Sequence, residues 1–224
     1  MTDVLAPSRV ASLIMDLQAV GLRLETALAN TRKGGAGPSD SGMLWIEGVP
    51  VTVPPSEDSP YALRAEEDGQ GIYFDGVKVA SVSRTARPRF YDLTTEDGIP
   101  YHKIALLHLD SLASTVVQTC NYWGNSDQCG FCGIGVSLAA GRTIVKKTPQ
   151  MLAEVAIAAR DLDGAVDATL TTGSSAAPDR GALYVSRCGQ AVKEAAGLPV
   201  EVQFEPPREL RVLDQVHDMG IDAV

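Results

Sequence analysis

Residues 166–173 read Val-Asp-Ala-Thr-Leu-Thr-Thr-Gly, a short, largely apolar run that ends in a polar turn. A helical pattern stands on each side of this run, over residues 149–161 and 179–196. The strand pattern returns at residues 200–204. Strands that alternate with helices in this way are typical of βαβ units on a parallel sheet. Because the crossovers share one hand, the carboxyl ends of such strands lie on one side of the sheet.

The chain before this region follows different patterns. Residues 8–30 place apolar side chains at helical spacing, which predicts a packing helix. Residues 43–105 contain short apolar runs that are separated by turn pairs. Among these pairs, Asp75-Gly76 is a strong signal for a two-residue β-hairpin. We therefore predict an N-terminal helix and a small antiparallel β domain over residues 1–111, followed by a second domain.

Three of the four cysteines, Cys120, Cys129 and Cys132, lie within thirteen residues of one another. The apolar strand pattern over residues 112–119 leads directly into them, so the cysteines follow a strand end. Three clustered thiolates suit a metal ion or an iron–sulfur cluster, and a four-iron cluster would keep one iron without a protein ligand. The alternative is a non-catalytic zinc-binding scaffold, with Cys188 or a histidine as the fourth ligand. Cys188 lies in a helical pattern that also suits a small buried residue.

Composition and charge argue against several classes of protein. The 224 residues carry a formal net charge of −9, which argues against a nucleic-acid or anionic-membrane surface, since both need a dense basic patch. No apolar stretch approaches the roughly 18 residues of a spanning helix, and the N-terminus lacks the pattern of a secretory signal. We predict a cytoplasmic protein, in which clustered cysteines more often bind metal than form disulfides.

The run Cys129-Gly130-Phe131-Cys132 resembles the second half of the radical S-adenosylmethionine (SAM) cluster motif. That motif is commonly Cys-x-x-x-Cys-x-aromatic-Cys, whereas eight residues separate the first two cysteines here. The resemblance implies that Cys120, Cys129 and Cys132 ligate a [4Fe-4S] cluster and that SAM chelates the fourth iron. Reductive cleavage of SAM to a 5′-deoxyadenosyl radical would then abstract hydrogen from an unknown substrate. In this interpretation Phe131 packs beside the cluster and shields it from solvent.

Two further strand ends extend the resemblance. Thr171, Thr172 and Gly173 stand where the superfamily carries a turn that binds the SAM amino group, although an ordinary strand-to-helix turn has the same composition. Glu205 ends the next strand and is placed to reach SAM or substrate, or it merely precedes a Pro-Pro helix start. Together these features look like a poorly characterised radical SAM branch found in bacterial nitrilase-type gene clusters, distantly related to biotin synthase.

The resemblance implies an α/β fold in which residues 112–224 form an incomplete (β/α) barrel of three to four parallel units. Because a radical SAM barrel usually has more units, we expect a truncated or fragmentary member. It would be either a shortened gene product or half of a site that a second chain completes. We also expect a small-molecule substrate and an external electron donor, without nucleic acid or membrane. The sequence assigns no catalytic side chain and leaves open whether the chain is an active enzyme.

Overall fold

The computed structural model describes residues 7–26, 43–83 and 87–224. The fold is mixed α/β with two β-sheets. The described residues divide into two compact units, one made of residues 7–26 and 43–83 and the other of residues 87–224. None of the helices within these ranges has the length and the apolar composition that crossing a membrane requires.

The first unit packs a helix with an essentially antiparallel sheet. Its described elements are the helix α1 (Pro7–Val20) and the strands β1 (Arg23–Leu24), β2 (Met43–Ile46), β3 (Val49–Thr52), β4 (Tyr61–Glu66), β5 (Gly69–Phe74) and β6 (Val77–Ser83). The strand order is β1-β4-β5-β6-β2-β3, and the short pair β1–β4 is parallel. The predicted small antiparallel β domain is therefore confirmed for the strands between residues 43 and 83.

Local turn chemistry explains why the sequence folds this way in the first unit. Asp75 and Gly76 join β5 to β6 with φ angles of 47° and 83°, the left-handed region that a type I′ hairpin turn needs. The predicted helix over residues 8–30 is too long, because α1 ends at Val20 and Gly21 follows with φ of 79°. Residues 27–30 of that prediction lie outside the described residues.

The second unit contains a four-stranded sheet and four described helices. After two 3-10 turns (Arg89–Asp92 and Tyr101–Lys103), its elements are β7 (Leu106–His108), β8 (Ser111–Thr115), α2 (Ile134–Ala139), α3 (Pro149–Asp163), β9 (Asp167–Thr171), α4 (Ala182–Ala196), β10 (Val200–Gln203) and α5 (Val212–Asp218). The strand order is β10-β9-β8-β7. Strands β8, β9 and β10 run parallel, whereas β7 is antiparallel to β8, so the sheet is mixed rather than purely parallel.

Helix caps in the second unit agree with the sequence signals. The Thr148 hydroxyl accepts a hydrogen bond from the Met151 amide at 3.2 Å, and Pro149 occupies the first helical position of α3. Gly197 ends α4 with φ of 68°, as predicted. The helix predicted over residues 207–219 is shorter, since α5 covers only its last part.

The division between the units differs from the predicted boundary at residues 111 and 112. Phe90 and Tyr101 are buried in the same hydrophobic cluster as Leu112, within the second unit. The carboxylate of Asp163, at the end of α3, accepts hydrogen bonds from the amides of Arg89 and Phe90 at 2.8 and 2.9 Å. Residues 87–111 therefore belong with the parallel strands, because contacts distant in sequence hold them there.

Candidate functional site

A cavity of about 570 Å³ lies at the carboxyl ends of β8, β9 and β10. Its lining includes every predicted metal or cofactor residue except Phe131, namely Cys120, Cys129, Cys132, Thr171, Thr172, Gly173 and Glu205. The segments that follow the three parallel strands thus meet at one place, as the sequence pattern indicates.

The three cysteines of the cavity are free thiols. Cys120 and Cys132 are half-buried and Cys129 is exposed. Within residues 7–26, 43–83 and 87–224, no three His, Cys, Asp or Glu side chains are grouped so that they could hold a metal ion. The thiols therefore share the cavity wall without being gathered at ligand distances.

Residues 120–133, here called the cysteine loop, are ordered by their own hydrogen bonds. The Trp123 amide donates to the Cys120 carbonyl at 3.1 Å, and the Cys132 amide donates to the Cys129 carbonyl at 3.1 Å. Between these two turns, the Asp127 amide donates to the Asn125 side-chain oxygen at 2.9 Å. Short turns of this kind place cysteines at both ends of the loop.

The turn after β9 is joined through the backbone to the cysteine loop and to the segment that leads into it. The Gly173 amide donates to the Val117 carbonyl at 3.0 Å, and the Asn121 amide donates to the Ser174 carbonyl at 2.8 Å. A Cβ atom on Gly173 would lie 2.0 Å from the Thr119 carbonyl oxygen, so only glycine permits this approach. The glycine of the Thr-Thr-Gly turn is therefore a packing requirement of the site.

Glu205 places a carboxylate with an unpaired oxygen on the cavity wall. Its Oε1 accepts a hydrogen bond from the Tyr122 hydroxyl at 2.8 Å and lies 3.6 Å from the Arg180 Nε. That hydrogen bond, together with burial, raises the pKa of Tyr122. Its Oε2 is buried and has no hydrogen-bond partner among the residues that the structure describes. Leaving a buried carboxylate oxygen unpaired is costly, and the neighbouring Arg180 Nε is likewise buried without a hydrogen-bond partner among the described residues.

Polar residues form the floor of the cavity where β8 and β9 lie side by side. The hydroxyls of Thr115 and Thr171 are 2.9 Å apart and share a hydrogen bond. Below them, the ammonium of the buried Lys147 contacts the Thr115 carbonyl and the Gln118 side-chain oxygen. Burial lowers the pKa of Lys147 to about 7.

Other candidate side chains lie away from the cavity. Phe131 is 96% exposed and does not line it. Cys188 is fully buried in the hydrophobic core, and burial raises its pKa to about 12. The His102 Nδ1 lies 3.2 Å from the Tyr91 carbonyl oxygen, so this histidine has a structural partner. These positions leave Cys188 and His102 outside the set of possible ligands.

Sequence reasoning missed several residues of the cavity. Tyr122 and Asp127 line it and lie inside the cysteine loop, so their polar groups and their position could have drawn attention to them. Gln118 also lines the cavity but gave no such signal, and neither did its partner Lys147, which does not line the cavity, because their contact joins distant segments.

No protein-family model matches the chain, and comparisons with curated proteins and with solved structures found no match. What the cavity binds must therefore be inferred from the residues that line it.

Proposed function

We propose that the cavity binds a [4Fe-4S] cluster together with S-adenosylmethionine and that the chain is a radical SAM enzyme acting on an unknown small molecule. One observation carries this proposal. The three free thiols of Cys120, Cys129 and Cys132 line the same cavity as the turns that follow β9 and β10. A thiol loop beside two strand-end turns supports the proposal, because it would place a cluster and an organic cofactor next to each other.

The donor set fits such a cluster. Thiolates are the usual ligands of iron–sulfur clusters, and none of the three sulfurs is consumed in a disulfide. A cavity of about 570 Å³ falls within the ordinary size of small-molecule sites. Binding would have to draw the cysteines together, and coupling of this kind between ligand closure and metal binding is common.

The chain's own residues then have separable roles. Cys120, Cys129 and Cys132 would hold the cluster, whose chemistry when bound is to supply the electron that cleaves SAM to methionine and a 5′-deoxyadenosyl radical. The turn at Thr172 and Gly173 would position SAM. Glu205, on the cavity wall, would contact SAM or substrate through its carboxylate. The electron would come from an external donor.

The parallel strands support a related proposal about architecture. Strands β8, β9 and β10 follow one another in both sequence and space, and a bridge between Glu201 and Ala223 adds a further parallel pairing. We infer that these are consecutive units of a (β/α) barrel of the radical SAM type, with β7 as an antiparallel addition at its edge.

One observation favours a second candidate, a zinc-binding scaffold. Asp127 lines the cavity with the three cysteines, and zinc accepts a carboxylate oxygen beside thiolates. In that candidate Asp127 would be the fourth ligand, because Cys188 is enclosed in the core.

Metal analysis of the anaerobically purified protein separates the two candidates. The cluster predicts a brown protein with about four iron and four sulfide per chain and absorbance near 400 nm, and an Asp127→Asn variant should keep this content. Incubation with SAM and dithionite should release 5′-deoxyadenosine. A colourless wild-type protein with one zinc, lost in the Asp127→Asn variant, would contradict the enzyme proposal and support the scaffold.

A further inference from the structure

Lys147 is a buried lysine whose Nζ meets three neutral groups. The side chain is 1% exposed. Its Nζ donates to the Thr115 carbonyl at 2.5 Å, to the Thr143 hydroxyl at 2.7 Å and to the Gln118 Oε1 at 3.2 Å. Burying an ammonium without a carboxylate is costly, so a lysine in this position calls for a structural or functional reason.

Gln118 links Lys147 to the residue that follows the cysteine loop, because its side chain is hydrogen-bonded to both. Because a protonated amine can only donate, Lys147 in that form fixes the Gln118 oxygen towards itself and turns the amide nitrogen the other way. That nitrogen, Nε2, donates to the Ile134 carbonyl at 3.3 Å. Lys147 therefore determines whether Gln118 can make its second hydrogen bond.

The two residues joined by Gln118 lie at opposite ends of the cysteine loop. Gln118 stands two residues before Cys120, and Ile134 stands two residues after Cys132. The ring of Trp123 packs against the backbone next to Ile134, since a Cβ atom on Gly135 would lie 2.2 Å from that ring. The hydrogen bond between Gln118 and Ile134 thus ties together the ends of the segment that contains all three thiols.

We propose that Lys147 is a positioning residue. By orienting Gln118, it holds the two ends of the cysteine loop together, an arrangement here called the closure, and so keeps the thiols at the cavity. The closure is a property of the metal-free chain. We expect it to help the three cysteines retain a metal, and that consequence rests on the proposed function. Lys147 itself does not line the cavity.

Two variants and a matched control test the closure in metal-free protein. Lys147→Met removes the donor. Gln118→Glu keeps an acceptor for Lys147 but has no N–H group for the Ile134 carbonyl. Lys146→Met is the control, because this neighbouring lysine is exposed and lies over the Tyr184 ring. Each is made in a Trp45→Phe background so that fluorescence reports on Trp123 alone.

The expected result is selective loosening of the loop. Amide hydrogen exchange over residues 120–134 should become about tenfold faster in Lys147→Met and in Gln118→Glu, the loss expected for one hydrogen bond. The Trp123 emission should shift to the red in both variants. Exchange in α3 and α4 should stay within about twofold of the wild type in Gln118→Glu, since the buried lysine keeps its partner there. Lys146→Met should match the wild type throughout.

Two outcomes would overturn the proposal. Unchanged loop exchange in Gln118→Glu would mean that the Gln118–Ile134 hydrogen bond does not hold the loop. Equally accelerated amide exchange in the loop and in the helices of Lys147→Met would mean that Lys147 stabilises the whole unit rather than the loop. Iron release to a chelator then addresses the consequence, and release at least about tenfold faster from Lys147→Met is expected. If the wild type takes up no iron, the proposed function fails while the exchange result still decides the closure.

Discussion

The second unit holds cysteines in two contrasting places, and the contrast shows that surroundings rather than residue type decide what a thiol can do. Cys188 lies on α4 with no exposed surface, and burial raises its pKa to about 12. Cys120, Cys129 and Cys132 lie on a loop at the wall of a cavity, beside polar strand ends. The core thiol behaves as a small apolar group, whereas the loop thiols are accessible to a metal.

Serine substitutions give the largest test of this contrast. Replacing any one of Cys120, Cys129 or Cys132 by serine should reduce reconstituted iron from about four to less than one per chain, because each removes a ligand. Cys188→Ala should leave the iron content unchanged and lower the free energy of unfolding by about 1 kcal/mol through lost packing. Iron and sulfide assays with urea unfolding measure both effects. Loss of iron from Cys188→Ala alone would reverse the assignment of core and loop.

The buried lysine tests the same effect of surroundings on a second residue type. Burial disfavours the charged form of an amine, just as it disfavours the charged form of a thiol. Burial lowers the pKa of Lys147 from its ordinary 10.5 to about 7. Between these two pH values Lys147 is protonated in the unfolded chain but neutral in the folded one. The free energy of unfolding should therefore rise with pH. Below about pH 7 both states are protonated and the full cost of burial is present.

The expected rise between about pH 7 and pH 9 is about 2 kcal/mol for the wild type relative to Lys147→Met. Urea unfolding at the two pH values measures it, with Lys146→Met as the control that should follow the wild type. A difference between wild type and Lys147→Met that does not change with pH would show that Lys147 stays protonated when buried.

An effect of similar size is expected from the glycine that lets the two strand-end segments approach. Gly173→Ala should cost about 1–3 kcal/mol, because its Cβ would overlap the Thr119 carbonyl. Gly197→Ala is the matched control, since no atom of the described residues lies within 4 Å of its added Cβ and only its φ of 68° is unfavourable. Its cost should be about 1 kcal/mol. Thermal unfolding compares the two, and equal costs would mean that the segments separate without penalty.

The smallest effect concerns the aromatic residue of the cysteine loop. Phe131→Ser should change the free energy of unfolding by less than about 0.5 kcal/mol, because the ring is 96% exposed. The predicted shielding role has a different readout. If the ring covers a bound cluster, bleaching of the absorbance in air should be faster in the variant, and equal bleaching would show that it covers nothing.

Features with local causes could be predicted from the sequence. The hairpin at Asp75-Gly76, the cap at Thr148 and the helix end at Gly197 each depend on a few neighbouring residues, and the structure confirms them. The meeting of the cysteine loop with the turn at Thr171–Gly173 followed from the handedness of βαβ units, a general rule of chain topology.

Features with distant causes could not be predicted. The unit boundary was placed too late because Phe90 and Tyr101 join the second core through contacts with residues far along the chain. Lys147 stands in an unremarkable stretch, and only the fold brings it to Gln118. Glu205 was named for its place at a strand end, yet its unpaired oxygen is visible only in three dimensions.

The backbone links between the cysteine loop and the turn after β9 have a consequence for how this site could diversify. Peptide groups supply both partners of these links, so they are indifferent to which side chain each position carries. Replacing Ser174 or Asn121 by most other residues should leave the scaffold intact, and at Ser174, which lines the cavity, it should also alter the chemistry presented to a ligand. A saturation library at these two positions, selected for folding, should therefore tolerate far more variety than one at Gly173.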